Sequence, residues 1–439
     1  MTRVGQLHLN VFLMDVGHHE AAWRLPESDP RAGFAPAALA ELARTAERGK
    51  LDSLFIADIP ALWMGFAQRP NAALDPLLLL TMMAGVTEHI GLIGTASTTY
   101  NEPYNLARRL ASLDHLSGGR AGWNIVTTPG REVARNFNLE DQPDHAERYI
   151  RAREFVEVCL ALWDSWEDDA VVADKARGIW GDEAKLHPAR HSGKYYSVQG
   201  ALNVPRPRQG YPLLVQAGSS EGGKAFAARY AEAVFTSQPT LAEGQRFYAE
   251  VKAQALPFRR PEHMAVLPGL VAVLGGTEQE AQGKQAELDQ LVNPLLARKH
   301  LARLLRVEPE RLELDLELPD DLPGEDAIEG GKSRYSLVVS LARRDRLTVR
   351  QLISRFGLSR GHNTVIGTPE QVADTMMAWW EGHAADGFNL MPAVMPSGLV
   401  DFVEQVVPLL QRRGVFRTEY TGHTLRDHYG VPRPNNQHR

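Results

Sequence analysis

Four groups of residues have types and spacing suited to chemistry. The run Gly218-Ser219-Ser220-Glu221-Gly222-Gly223 follows an apolar stretch and opens a helical one. At such a turn the free backbone N–H groups and the helix dipole favour an anion, and the serines add hydroxyl donors. The run is neither a Walker A sequence nor a GxGxxG fingerprint, so it suits a mononucleotide phosphate better than ATP or NAD. On the motif alone, an ordinary glycine-rich loop with a serine cap is an equal reading. His145 and Tyr149 lie four residues apart at the start of another helical run and so share one face. There they can donate to an anion, although a solvent-facing histidine beside a core tyrosine is the stronger reading of these two residues alone. Asp58, Thr95 to Thr98 and Asn124 close three successive apolar runs. His18 and His19 follow the first such run, with Trp23 and Arg24 just beyond, and one histidine is expected to line a pocket.

Other chemistries find less support. There is no GxSxG, no HExxH, and no acidic residue at a strand end to partner Asp58 as a glycosidase pair. No metal site is expected. The single cysteine, Cys159, falls on the apolar face of a helical run, where it reads as inert core.

The elements that position these groups alternate. Strand-like runs fall at 7–14, 53–58, 90–98, 120–127, 212–218, 231–237, 264–274 and 387–391, and amphipathic helical runs separate them. Strands that alternate with helices imply parallel pairing, because each parallel return needs a crossover. Eight such repeats predict an α/β fold, a closed (β/α)8 TIM barrel. In that fold Asp58, Thr95 and Asn124 sit together at the C-terminal rim of the strands, where barrel enzymes hold their active sites. One domain is expected over 1–439. Its largest insertion covers about 277–361, after the seventh strand, and serves as a lid, pocket wall or packing excursion. The stretch 165–211 reads as irregular, and about 414–439 as an extended arm. A capping box, Thr368 with Gln371 and Pro369 between them, restarts regular structure after the insertion.

Composition agrees with a globular protein. The chain has 439 residues, 44% hydrophobic and 23% charged, with a net charge of −6. No broad basic face follows, so nucleic acid is not expected as a partner. There is no secretory h-region and no charge-free apolar stretch of membrane-spanning length, so a soluble cytoplasmic protein without a membrane role is expected.

Several dispersed motifs, taken in order, carry a resemblance that covers most of the chain. They are Gly17-His18-His19 through Trp23-Arg24, the run 51–58, PYNLARRLASLDHLSGGRAGWN at 103–124, HAERYIRAREF at 145–155, QAGSSEGG at 216–223, and GTPEQVA at 367–373. The chain resembles the FMN-dependent monooxygenases related to bacterial luciferase. Within them it is similar to the branch of nitrilotriacetate monooxygenase component A, dibenzothiophene-sulfone monooxygenase and the alkanesulfonate-type enzymes. The resemblance implies FMN at the C-terminal end of the barrel. Asp58, Thr95 and Asn124 would lie around the isoalloxazine and ribityl chain, and His145, Tyr149, Ser219 and Ser220 would hold the phosphate. It implies a two-component system in which a separate NAD(P)H:flavin reductase supplies reduced FMN. Reduced FMN and O2 then oxygenate a small organic substrate through a flavin peroxide. It also implies a homodimer. On the same reading the substrate pocket is walled by Trp23, Trp63, a histidine and the insertion, with His19 or His18 as catalytic proton carrier. Two other functions suit the same fold. One is a deazaflavin-dependent oxidoreductase that transfers hydride without oxygen. The other is a flavin-binding protein without catalysis.

Overall fold

The structure, a computed structural model, describes residues 3, 5–14, 16–62, 66, 70, 73–324, 332–359 and 361–439. Eight parallel strands close into a barrel: β1 (His8–Leu13), β2 (Ser53–Ile56), β3 (Gly91–Ser97), β4 (Ala121–Val126), β5 (Leu213–Ala217), β6 (Ala233–Thr236), β7 (Ala265–Leu274) and β8 (Gly387–Leu390). Closure is made by β8, which pairs with β1 at His8↔Gly387 and with β7 at Gly269↔Asn389. This is the expected TIM barrel. Both faces of each strand are covered, one by the barrel interior and one by helices. Such strands read as near-continuous apolar runs, and all seven residues of β3 are buried.

Helices start where the sequence provides caps. The Asp144 carboxylate accepts from Ala146 N at 2.8 Å and opens the helix His145–Trp163. Asp75 accepts from Leu77 N and Leu78 N and opens Pro76–Ala84. These contacts satisfy N–H groups that have no partner inside the helix.

Three segments differ from the sequence reading. Asn363–Gly367 is a further parallel strand, in register with the second half of β7 from Leu270↔Asn363 to Leu274↔Gly367. It is five residues long and follows an irregular stretch, so no alternation marks it. The stretch between the helix His145–Trp163 and β5 contains two short antiparallel hairpins, Val171–Asp174 with Ile179–Gly181 and His191–Ser192 with Ser197–Val198. The chain after Gly414 is not an extended arm in this structure. Leu425–Tyr429 is a helix with a Thr424/Asp427 capping box. Leu425 plugs the N-terminal end of the barrel. A Cβ on Gly91 would lie 2.2 Å from its Cδ1, so the glycine makes room for it. The Tyr429 hydroxyl donates to Asn10 Oδ1 at 2.7 Å inside the barrel. Burial of these side chains is what orders the tail.

Within 277–361, the helix Glu278–Gln290 packs on β7, with Leu288 against Val271 and Val273. The helices Pro294–Leu305, Lys332–Asp345 and Val349–Ser359 gather round a second small core that includes Leu301, Leu305, Val338 and Leu352.

Candidate functional site at the barrel mouth

The turn after β5 meets the helix His145–Trp163. Ser220 caps the helix Glu221–Tyr230, its Oγ accepting from Gly223 N at 3.2 Å. A Cβ on Gly223 would lie 3.2 Å from the Tyr149 hydroxyl, and one on Gly222 would lie 3.7 Å from Cε1 of His145. The rings of His145 and Tyr149 are 5.1 Å apart. Ser219 is half-buried in the same turn. Two helix N-termini, three hydroxyl-bearing side chains and an imidazole therefore converge on one small region, and both helix dipoles direct positive potential there. His145 is exposed and Tyr149 is half-buried.

Asn124 and Thr95 stand opposite each other in register on β4 and β3 and face the barrel interior near its mouth. Asn124 Nδ2 donates to Thr95 Oγ1 at 2.8 Å. Asn124 Oδ1 is buried without a hydrogen-bond partner among the described residues. A buried acceptor in that state calls for a ligand or water. Asp58 is half-buried just after β2. Burial, reinforced by the neighbouring Asp75 carboxylate, pushes its pKa up to about 6.

His18 and His19 are both buried, at 0% and 2% exposure, so neither lies on a solvated loop. Gly17 (φ +125°) places them, since a Cβ there would lie 2.4 Å from the carbonyl oxygen of Ala393. The His18 and His19 backbone N–H groups donate to Pro392 O and Ala393 O. His18 Nε2 is 2.9 Å from Phe12 O, and its ring stands edge-on to Phe12. His19 Nδ1 accepts from Ala21 N at 3.1 Å, so the proton of a neutral ring lies on Nε2, 3.5 Å from the Asp289 carboxylate. Burial raises the pKa of Asp289, but the nearby His19 ring and hydrogen bonds from Ser354 and Gln285 outweigh it and hold the carboxyl below its usual range. Trp23 is partly exposed on the turn Ala22–Arg24. Trp63 lies outside the described residues.

The structure thus assembles Ser219, Ser220, His145 and Tyr149 at one side of the mouth and Thr95 with Asn124 beside them. His18 and His19 follow β1, which stands across the barrel from β5. Three residues were not singled out from the sequence. Gln216 lies beneath the β5 turn, its Nε2 donating to Ala217 O at 3.0 Å and its Oε1 without a partner among the described residues. A lone amide in the apolar run LLVQAG was a readable signal. Arg148 is buried with Nη1 reaching Thr127 O at 3.4 Å, and burial lowers its pKa. Asp289 gave no signal, since its partner is far away in the chain. Cys159 is buried, and burial alone raises its pKa well above the ordinary range, as an inert thiol requires. No helix among the described residues is long and apolar enough to cross a membrane.

Comparison with known proteins supplies the class. The model of the luciferase-like monooxygenase family matches residues 12–386, and the chain belongs to that family. It is an oxidoreductase of the monooxygenase class. It is 47% identical over 438 residues to the N-acetyl-S-(2-succino)cysteine monooxygenase of Bacillus subtilis (strain 168), covering 99% of this chain and 98% of the relative. It is 46% identical over 445 residues to nitrilotriacetate monooxygenase component A of Aminobacter aminovorans, covering 98% of each. Among solved structures, the riboflavin lyase RcaE, held with modified FMN and riboflavin, superposes with a TM-score of 0.85 at 29% identity, covering 97% of this chain and 96% of that one.

Proposed function

We propose that this chain is the oxygenating component of a two-component monooxygenase that takes reduced FMN from a separate NAD(P)H:flavin reductase. The observation that carries the reading is the approach of the Tyr149 hydroxyl to Gly223, which joins two helix N-termini into one anion cradle. Ser219, Ser220, His145 and Tyr149 would hold the phosphate, and Asp58, Thr95 and Asn124 would border the ring and ribityl chain. The unpartnered Oδ1 of Asn124 suits a ribityl hydroxyl or ring N–H. When bound and reduced, the flavin supplies oxygen activation. The protein orients it, excludes water, and offers the His19 Nε2–H, backed by Asp289, as a proton carrier. His18, Trp23 and Trp63 complete the proposed pocket. A homodimer is proposed, since two-fold assembly is the commonest among soluble oligomers.

The test is anaerobic titration with reduced and with oxidised FMN, followed by admission of air and spectral monitoring. Tight binding of reduced FMN and its oxygen-dependent consumption with substrate turnover is the expected result. Binding of a deazaflavin but of neither FMN form would replace this reading with hydride transfer. Flavin binding without turnover of any substrate would reduce it to a binding protein.

A further inference from the structure

The hairpin His191–Ser192 with Ser197–Val198 lies in the connection between the helix His145–Trp163 and β5. Its side chains return to two sides of the barrel mouth. At about 100° per residue, Glu147, Arg151 and Glu154 share one face of that helix, turned away from the face of His145 and Tyr149. All three meet the hairpin. The Tyr195 hydroxyl donates to Glu147 Oε1 at 3.1 Å. Glu154 Oε1 accepts from the backbone N–H groups of Tyr195 and Tyr196 at 3.0 and 2.8 Å and from His191 Nε2 at 3.1 Å. Burial raises the pKa of Glu154, but these hydrogen bonds outweigh it and hold the carboxyl below its usual range. Arg151 Nε donates to the Tyr196 hydroxyl at 2.6 Å.

The same Tyr196 hydroxyl reaches the strand side, where it donates to Thr98 O at 3.3 Å. Tyr196 is buried, its ring edge-on to Phe155 at 5.4 Å. Thr98 follows β3 directly, and its N–H donates to Val126 O at the end of β4 at 2.9 Å. Thr95 and Asn124 lie on these two strands. One buried hydroxyl thus joins the helix that carries His145 and Tyr149 to the rim that carries Thr95 and Asn124. A ligand held at both ends gains its full affinity only when the two half-sites stand at its own spacing. We propose that the hairpin sets this spacing, with Tyr196 as the positioning residue. It holds the groups assigned to the flavin phosphate at a fixed distance from those assigned to the ring and ribityl chain, without contact to the ligand. This role rests on the flavin reading above.

The test uses three ligands with the full-length protein under anaerobic conditions. Reduced FMN spans both half-sites. Reduced riboflavin carries the ring and ribityl chain, and ribose 5-phosphate, read by displacement of FMN, carries the phosphate. Tyr196→Phe removes both hydrogen bonds and keeps the ring against Phe155. Its affinity for FMN is expected to fall roughly tenfold, with riboflavin and ribose 5-phosphate unchanged. Glu154→Gln, which loosens the hairpin with Tyr196 intact, should give the same split. A role in folding alone would weaken all three ligands alike or none, and either result would overturn the proposal. Tyr149→Phe provides the contrast, because loss of a phosphate contact weakens ribose 5-phosphate as well as FMN. Hydrogen exchange on the unmodified protein reads the spacing without any variant. FMN is expected to slow exchange of the Tyr195 and Tyr196 amides, whereas riboflavin and ribose 5-phosphate leave it unchanged. Equal protection by FMN and riboflavin would also overturn the proposal. Failure of the unmodified protein to bind FMN would instead overturn the flavin reading, a result independent of every variant.

Discussion

Nε2 of His19 lies 3.5 Å from the Asp289 carboxylate, tying the loop after the first barrel strand to the helix after the seventh. The contact fixes the imidazole from one side, while Ala21 N fixes it from the other. Asp289→Asn removes the charge and keeps the shape. Loss of this ionic contact predicts a turnover lower by roughly tenfold, with reduced FMN affinity unchanged. Steady-state kinetics beside flavin titration check this. An unaltered kcat would remove His19 from the chemistry.

The phosphate cradle predicts a difference between two flavins. Tyr149→Phe deletes a hydroxyl that reaches the turn but keeps the ring packed against Phe226. FMN affinity is expected to fall about tenfold, the worth of one hydrogen bond to a charged group. Riboflavin, which lacks the phosphate, should bind the variant and the parent equally. Equal weakening for both flavins would show that Tyr149 serves packing rather than the phosphate.

Asp58 predicts a pH dependence. Burial and Asp75 raise its folded pKa from 3.8 to about 6. The folded state therefore keeps a proton that the unfolded state releases, and the stability from this group is full below pH 3.8 and declines as pH rises through 6. Asp58→Asn should abolish that decline and stabilise the protein at pH 7.5 by on the order of 1 kcal/mol, the value being reduced by solvent screening at a half-buried site. Urea denaturation at pH 4 and pH 7.5 reads the difference. A gain of the same size at both pH values would refute the assignment.

The C-terminal plug predicts a large effect far from the site. Arg417 Nη2 donates to Asp52 Oδ1 at 2.6 Å, and both side chains are buried. Burial raises the pKa of Asp52, but Arg417 and His8 outweigh it and hold it at about 2. The stability from this lowered pKa is present above pH 3.8 and is lost as pH falls through about 2. Arg417→Met strands the carboxylate and should cost about 3–5 kcal/mol at neutral pH. Asp52→Asn in the same chain should recover part of it. Thermal denaturation of the three proteins tests the pairing.

Much of this architecture was legible in the order of residues. Eight apolar runs became the eight barrel strands, because a strand covered on both faces needs an unbroken apolar stretch. Helix starts at Thr368 and at the serine of the 218–223 turn were legible because a cap acts within three residues. The anion turn after β5 was readable for the same reason: its glycines and serines are neighbours in the chain.

What the sequence alone determined was therefore local: periodicity, caps and the residue types at each strand end. Tertiary structure decided what meets across the fold. It set Tyr149 against Gly223, Asp289 against His19, Leu425 against the glycine socket in β3, and Tyr196 between Arg151 and Thr98. It also decided that Asn363–Gly367 is a strand, since a five-residue segment takes its conformation from the edge of β7 that receives it. Such pairings depend on barrel closure, which brings distant segments within hydrogen-bonding range and removes the water that would otherwise satisfy their polar atoms.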